Sequence, residues 1–335
     1  MNKELIIKNK QIRKSRPILN PKVLYSTYEN NGVFQICFKS RGCSNYLNGF
    51  CIMCDYGVSN NITPNELDSA FDQAMNESKE KIRTLLLNSF GSVLDQAEIS
   101  RECFITLLKK IKNTNIKNII FETHYTTITI EKLKLIRREL FDRNITFEFG
   151  LETSDEQVRE NFLLKYIDND KFIDVINLIH SYDMRVIANI IVGIPFLEEK
   201  EQIKNAVESI DWCFKNNINE VDLFPMNIRP YTLLREIYEE GKYNIISHWM
   251  LIEVLSDVPI HYLSDIYIAW YGNRDLKYSD NLHSIFPTSC DICQKDLFVF
   301  YKEYLKSQDS NVRKELINNL IANKHCKCYQ KIRKK

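Results

Sequence analysis

The sequence predicts an α/β fold, a partial (β/α)6 TIM-like barrel with a C-terminal cysteine-containing extension, and three observations carry that expectation. Six apolar, β-rich runs alternate with amphipathic helical stretches, a pattern that calls for parallel strands joined by right-handed crossovers. Each run ends in small or polar residues, and in parallel α/β folds it is the carboxyl ends of the strands that face ligand. No G-x-G-x-x-G or P-loop follows any strand, which counts against a dinucleotide or nucleoside-triphosphate fold. An open doubly wound sheet would satisfy the alternation equally; polar strand ends that converge on one mouth favour the barrel.

Taken in order, the first strand is Val33 to Phe38, and it runs into a loop holding Cys43, Cys51 and Cys54. A helix starts at Thr63-Pro64, where threonine caps and proline suits the first turn. Further strands are expected at 84–89, 117–122, 146–150, 185–192 and 220–225, with helices at 100–112, 129–143, 155–182 and 198–215. The chain therefore divides into an N-terminal extension (1–30), the barrel (31–240) and a C-terminal substrate-covering and metal-binding region (241–335).

Apolar content of 44% and charged content of 27% over 335 residues are those of an ordinary globular protein. A net charge of +1 argues against a dedicated nucleic-acid binder. The basic runs from Lys8 to Arg16 and from Lys331 to Lys335 read as solvated termini, with phosphate-contacting arms as the sharper alternative. No apolar run approaches the roughly 18 residues of a membrane span and no signal-peptide core is present, so a cytoplasmic protein without a membrane partner is expected. In that compartment the ten cysteines are ligands, redox groups or core residues rather than disulfides. Cys37, Cys103 and Cys213 lie on apolar runs and are expected in the core.

The spacing C-x7-C-x2-C at Cys43, Cys51 and Cys54 gathers soft thiolate donors suited to zinc, copper(I) or iron–sulfur iron. A structural zinc is closed by four ligands and an ordinary [4Fe-4S] cluster takes four cysteines, so three thiolates leave one metal position open. Farther on, Cys290-x2-Cys293 and Cys326-x-Cys328 supply four more thiolates, the number for a closed zinc or a second iron–sulfur cluster; His325 could replace one of them.

The triplet after the first strand, followed by six βα units, resembles the radical S-adenosylmethionine (SAM) superfamily over residues 30–240. That resemblance implies a [4Fe-4S] cluster on Cys43, Cys51 and Cys54, with SAM chelating the fourth iron and cleaved on reduction to a 5′-deoxyadenosyl radical. Seven residues between the first two cysteines, where most members have three, are similar to the elongator-catalytic-subunit branch. By the same resemblance Met53 packs against adenine, Asn88 and Ser89 stand where the SAM amino group binds, and Glu152, in Gly150-Leu151-Glu152-Thr153, contacts SAM. Asn189 and Gly193 belong to the segment against adenine and ribose, and Arg229 could bind a carboxylate or phosphate through its planar fork. Glu122, Asp222 and Tyr231 are candidates to line the mouth. The C-terminal residues Asn227, Arg229, Thr232, Tyr238, Gly241, Tyr243 and Trp249, with the cysteine pairs, resemble the radical-SAM subunit of archaeosine synthase. This implies a lyase step on a tRNA base that already carries a lysine adduct, a partner modification enzyme, and an electron donor such as flavodoxin or ferredoxin. The aromatic residues Trp249, Trp270 and Tyr271 are expected in the region that covers the barrel. A radical SAM enzyme acting on a peptide or small metabolite, and a non-enzymatic zinc-binding interaction protein, are the alternatives.

Overall fold

Residues 2–16, 23–57, 61–269 and 283–322 are described by the structure, a computed structural model. Eight strands form one curled sheet in sequence order: β1 (Tyr25–Asn30), β2 (Val33–Phe38), β3 (Thr84–Ser89), β4 (Asn118–Glu122), β5 (Asn144–Glu152), β6 (Arg185–Val192), β7 (Glu220–Pro225) and β8 (Ile266–Ile268). β1 and β2 are an antiparallel hairpin whose two-residue turn, Asn31-Gly32, takes positive φ at both positions, as a twisted hairpin requires. Every later neighbour is parallel, and β1 and β8 stay unpaired with each other, so the barrel is a partial one. The six expected strands are all present; the sheet gains one strand at each edge.

The alternation along β2 shows how the sheet is built. Phe34, Ile36 and Phe38 are buried against the helices, while Val33, Gln35 and Cys37 face inward and stay half exposed. Cys37 thus lines the cavity and does not belong to the core, a correction that the period of two makes once the inward face is known. Cys103 and Cys213 do lie in the core.

The helices of the outer layer are α3 (Pro64–Met75), α4 (Arg101–Lys112), α5 (Ile130–Glu139), α6 (Glu156–Phe162), α7 (Asn169–His180) and α8 (Glu199–Lys215), preceded by α1 (Asn2–Lys14) and α2 (Ser44–Leu47). Their starts follow local chemistry. Thr63 forms a capping box with Glu66, and Ser100 and Thr129 accept from Cys103 N and Lys132 N. The single helical stretch expected at 155–182 is two helices, α6 and α7, each with its own aspartate cap, Asp155 and Asp168. Arg159, fully buried, braces the break by donating to the Ile167 carbonyl (2.5 Å) and Asn169 Oδ1 (2.8 Å).

α9 (Leu233–Glu239), α10 (Trp249–Asp257), α11 (Asp291–Lys306) and α12 (Ser310–Ala322) complete the chain. α10 packs on α8 and α12, with Trp249 in the main core; Trp270 and Tyr271 lie outside the described residues. The N-terminal basic run is not a solvated arm. It is α1, which packs Leu5, Ile6 and Ile12 on a second apolar cluster around Ile52, Met226 and Leu234, and buries Asn9 and Arg13. The tail 331–335 lies outside the described residues. Among the described residues no helix is long and apolar enough to cross a membrane.

Candidate active site

At the carboxyl ends of the strands the loop after β2 carries the three thiols. The seven residues between Cys43 and Cys51 hold one helical turn, α2, with Cys43 as its N-cap. Cys51 adopts φ +60, a left-handed conformation that costs a non-glycine residue free energy and collects at functional sites. It is held there by its neighbours: Cys51 N–H donates to Leu164 O and Ile52 N–H to Leu163 O, both at 3.0 Å, from the linker between α6 and α7.

A clamp on the other side comes from α1. The Arg13 guanidinium donates to the carbonyls of Tyr46 (2.5 Å), Phe50 (2.5 Å), Cys51 (2.8 Å) and Cys54 (3.0 Å), and lies 4.2 Å over the Tyr46 ring. Next to Cys54, the fully buried Asp55 accepts from Arg229 Nε, and Arg229 stacks 4.2 Å from the Tyr56 ring centroid. Behind Cys43 the buried Glu98 accepts from Ser40 Oγ and from Ser92 N–H (2.7 Å). Gly91 separates the two. A Cβ on it would collide with Cys43 N and stand 2.5 Å from both Cys43 Cβ and Glu98 Oε2, so the close approach needs glycine.

The thiols open into one cavity of about 580 Å³ that also takes in Met53, Asn88, Ser89, Glu152, Asn189 and Arg229. Of the residues singled out from the sequence, these come together, joined by Glu122 and Asp222. Gly193 does not line it; its carbonyl accepts from Tyr243 Oη at 2.7 Å. Tyr231 is also outside, under the Arg16 guanidinium. Cys290, exposed, precedes α11, and Cys293 is buried in the core, both away from the cavity. Their expected partners Cys326 and Cys328, and His325, fall outside the described residues.

Two asparagines are aimed by acids on adjacent strands. Asn88 Nδ2 donates to Glu122 Oε2 (2.7 Å) and Asn189 Nδ2 to Glu148 Oε1 (2.9 Å), so both amide oxygens are left without a protein donor, buried, on cavity-lining residues. Lys165, which the sequence reading missed, enters beside Cys51. Its Nζ donates to Glu152 Oε1 at 2.6 Å, and both side chains are nine-tenths buried. Room for the pair comes from Gly150, whose Cβ would stand 2.6 Å from Glu152 Oε1 and 2.8 Å from Lys165 Nζ. Glu152 itself sits at φ +70 where the β5–β6 register shifts.

Burial dominates the titration of this site. It pushes the Cys43 thiol up to about 12, with Cys54 and Cys51 adding to the effect, and Cys51 up to about 11 against the pull of Lys165. Cys54 is raised too, against the pull of Arg13. Burial acts to lower Lys165, but Glu152 and Cys51 outweigh it and keep the ammonium charged. His124, pushed down to about 3 by burial and then by Lys165, is neutral.

These features fit an iron–sulfur cluster with SAM on donor chemistry. Three thiols act on one another across one cavity, and a cation binding them would supply the deprotonation that burial opposes. Two orphaned amide oxygens await donors from a ligand. Among the described residues no three His, Cys, Asp or Glu side chains already stand at metal-ligand spacing.

Comparison with known proteins decides the family. Residues 38–213, just over half of the chain, match the family described as the radical SAM superfamily. The chain belongs to the radical SAM superfamily. As such it is an enzyme, and the family's [4Fe-4S] cluster and SAM are its cofactor and substrate. It is 26% identical over 244 residues to an uncharacterized protein of Methanocaldococcus jannaschii, covering 70% of this chain and 67% of that one. It is 25% identical over 226 residues to archaeosine synthase subunit beta of Methanosarcina acetivorans, covering 66% and 65%. The chain thus spans about two thirds of the length of these relatives. Among solved structures, methylornithine synthase shares the fold, with a TM-score of 0.52 and 15% identity over 94% of this chain and 91% of that one.

Proposed function

We propose that this radical SAM enzyme modifies a tRNA base by a lyase step of the archaeosine-synthase type, on a base that already carries a lysine adduct. The observation that carries the reading is its likeness to archaeosine synthase subunit beta from two organisms, Methanosarcina acetivorans and Thermococcus kodakarensis.

In this reading Cys43, Cys51 and Cys54 hold the cluster. When bound, the cluster and SAM supply a 5′-deoxyadenosyl radical. The chain's own residues hold and shield the reactants. Lys165, kept charged by Glu152, turns its remaining N–H donors to a carboxylate, and Asn88 and Asn189 offer amide oxygens to ammonium or hydroxyl donors. Ser89 and Met53 shape the same wall, and Gly193 sets the strand end rather than touching ligand. Arg229 braces the cysteine loop through Asp55. Burial of the cavity matters because a primary carbon radical abstracts hydrogen from whatever it meets. Cys290 and Cys293, with Cys326 and Cys328, hold zinc or a second iron–sulfur cluster, and a partner enzyme supplies the adduct.

The test is anaerobic. The reconstituted protein is reduced with SAM in the presence of tRNA carrying the lysine adduct, tRNA lacking it, or a protein-free small-molecule extract, and 5′-deoxyadenosine and tRNA nucleosides are measured. Adduct-dependent 5′-deoxyadenosine with conversion of the base supports the reading. Turnover with the extract alone moves the substrate to a small metabolite, and a colourless protein that binds only zinc refutes radical chemistry altogether.

A further inference from the structure

The basic helix α1 lies outside residues 38–213, the part that matches the family, yet it packs against the cysteine loop. Two arginines, Arg13 in its last turn and Arg16 just past its end, turn inward there. The buried Arg13 guanidinium has carbonyls for partners, among them those of Cys51 (2.8 Å) and Cys54 (3.0 Å), and none of its bonds goes to a carboxylate. The Arg16 side chain is only 7% exposed. Its Nη1 has no hydrogen-bond partner and stands 3.9 Å from Asp55 Oδ2, and the other oxygen of Asp55 already accepts from Arg229 Nε.

The charges around the thiols do not cancel. On the Cys51 and Cys54 side four cations, Arg13, Arg16, Arg229 and Lys165, face two carboxylates, Asp55 and Glu152. The remaining acids are on the Cys43 side: burial pushes Glu98 up to about 7, and Asp95, which holds Ser44, is opposed by Lys132. Stability of the helix end does not account for the excess, because the exposed Lys14 already places a cation there. Burying two further guanidiniums costs desolvation that a single shared carboxylate does not offset. A positive excess kept at that cost fits an anionic occupant of the thiol site.

We propose that Arg13 and Arg16 set the reduction potential of the iron–sulfur centre held by Cys43, Cys51 and Cys54, and that their charge makes the centre easier to reduce. The proposal rests on radical SAM membership and not on the tRNA reading. A low-potential one-electron donor supplies one electron, the charge of the centre falls by one, and no bond or proton of this chain moves. Buried guanidiniums favour the state with the extra electron, and neither water nor salt screens them strongly. Net charge is one of the levers that move such potentials. Arg13 also fastens the loop, whereas Arg16 brings charge without those carbonyl bonds, so Arg16 separates charge from support.

The test is a potentiometric titration of the reconstituted holoenzyme, followed by electron paramagnetic resonance and run without tRNA. In Arg16→Gln the ratio of reduced to oxidised centre at a fixed potential falls about tenfold, which for a one-electron couple is a midpoint about 59 mV more negative. Iron content stays as in wild type. Arg16→Lys keeps the charge and restores most of the midpoint, and the difference between Arg16→Gln and wild type persists at high ionic strength, as for a buried charge. An unchanged midpoint in iron-replete Arg16→Gln overturns the proposal. So does an equal shift in Arg16→Lys, which would trace the effect to packing. If Arg16→Gln takes up too little iron to titrate, Asp55→Asn decides it by the opposite sign. Loss of that carboxylate beside the guanidiniums moves the midpoint to more positive values, and an unmoved or more negative midpoint overturns the proposal.

Discussion

Replacing Arg13 by alanine is expected to unfasten the cysteine loop while leaving the barrel intact. The guanidinium reaches four carbonyls of the loop, and two of those bonds, to Tyr46 and Cys51, are fully buried. At about 1.5–3 kcal/mol per hydrogen bond to a charged group, the buried pair gives a loss of about 3–6 kcal/mol, and water entering the loop brings the expectation to the low end. The variant should show a lower thermal midpoint as apoprotein and, after reconstitution, lose iron faster to a chelator. Arg13→Lys should rescue little, because an ammonium lacks the planar fork that spans several acceptors. Lys14→Ala, an exposed change on the same helix, is the reference. An Arg13→Ala protein that keeps its iron and its midpoint as well as Lys14→Ala does would refute the clamp.

Gly91→Ala forces a methyl group into Cys43 and Glu98, so cluster content after reconstitution should fall several-fold while far-ultraviolet circular dichroism stays unchanged. Lys165→Met strands the Glu152 carboxylate and should cost about 3–5 kcal/mol in urea unfolding; adding Glu152→Gln should restore most of the stability but not SAM affinity, measured by calorimetry. Glu98 is pushed from 4.5 up to about 7 by burial, so the fold favours its protonated form. Its stabilising contribution is complete below about pH 4.5 and is lost as the pH rises through about 7, a change of about 3 kcal/mol that Glu98→Gln should abolish in a series of urea midpoints.

What was legible in the sequence was local. The six strands, the cap at Thr63, the helix starts near Ser100 and Thr129, and the C-x7-C-x2-C loop each carry their signal within a few residues, and each is in place. The supports of the loop were not legible, because each joins distant segments: Arg13 lies about forty residues from Cys51 and Cys54, and Asp55 lies 174 from Arg229. Arg13 also stands in a run of basic residues where nothing local marks it. Asp168, placed like Asp155 just before a polar first turn, was an available signal that 155–182 is two helices, and with that break the position of Lys165 would have followed. Cys37 was misplaced because an apolar run hides which alternate residues look inward.

The backbone ties of Cys51 and Ile52 bear on the order of assembly. Ile52 is stitched on both sides, its N–H to Leu163 and its carbonyl to the N–H of Leu234 in α9. Residues 43–54 are made before α9, yet one of the ties that hold them comes from Leu234, almost two hundred positions later. Since the chain emerges from its N-terminus, the tie to α9 forms after those to Arg13, Leu163 and Leu164. The loop is therefore fully fastened only on a nearly finished barrel. Chains truncated before Leu234 should lose reconstituted iron to a chelator faster than full-length chains.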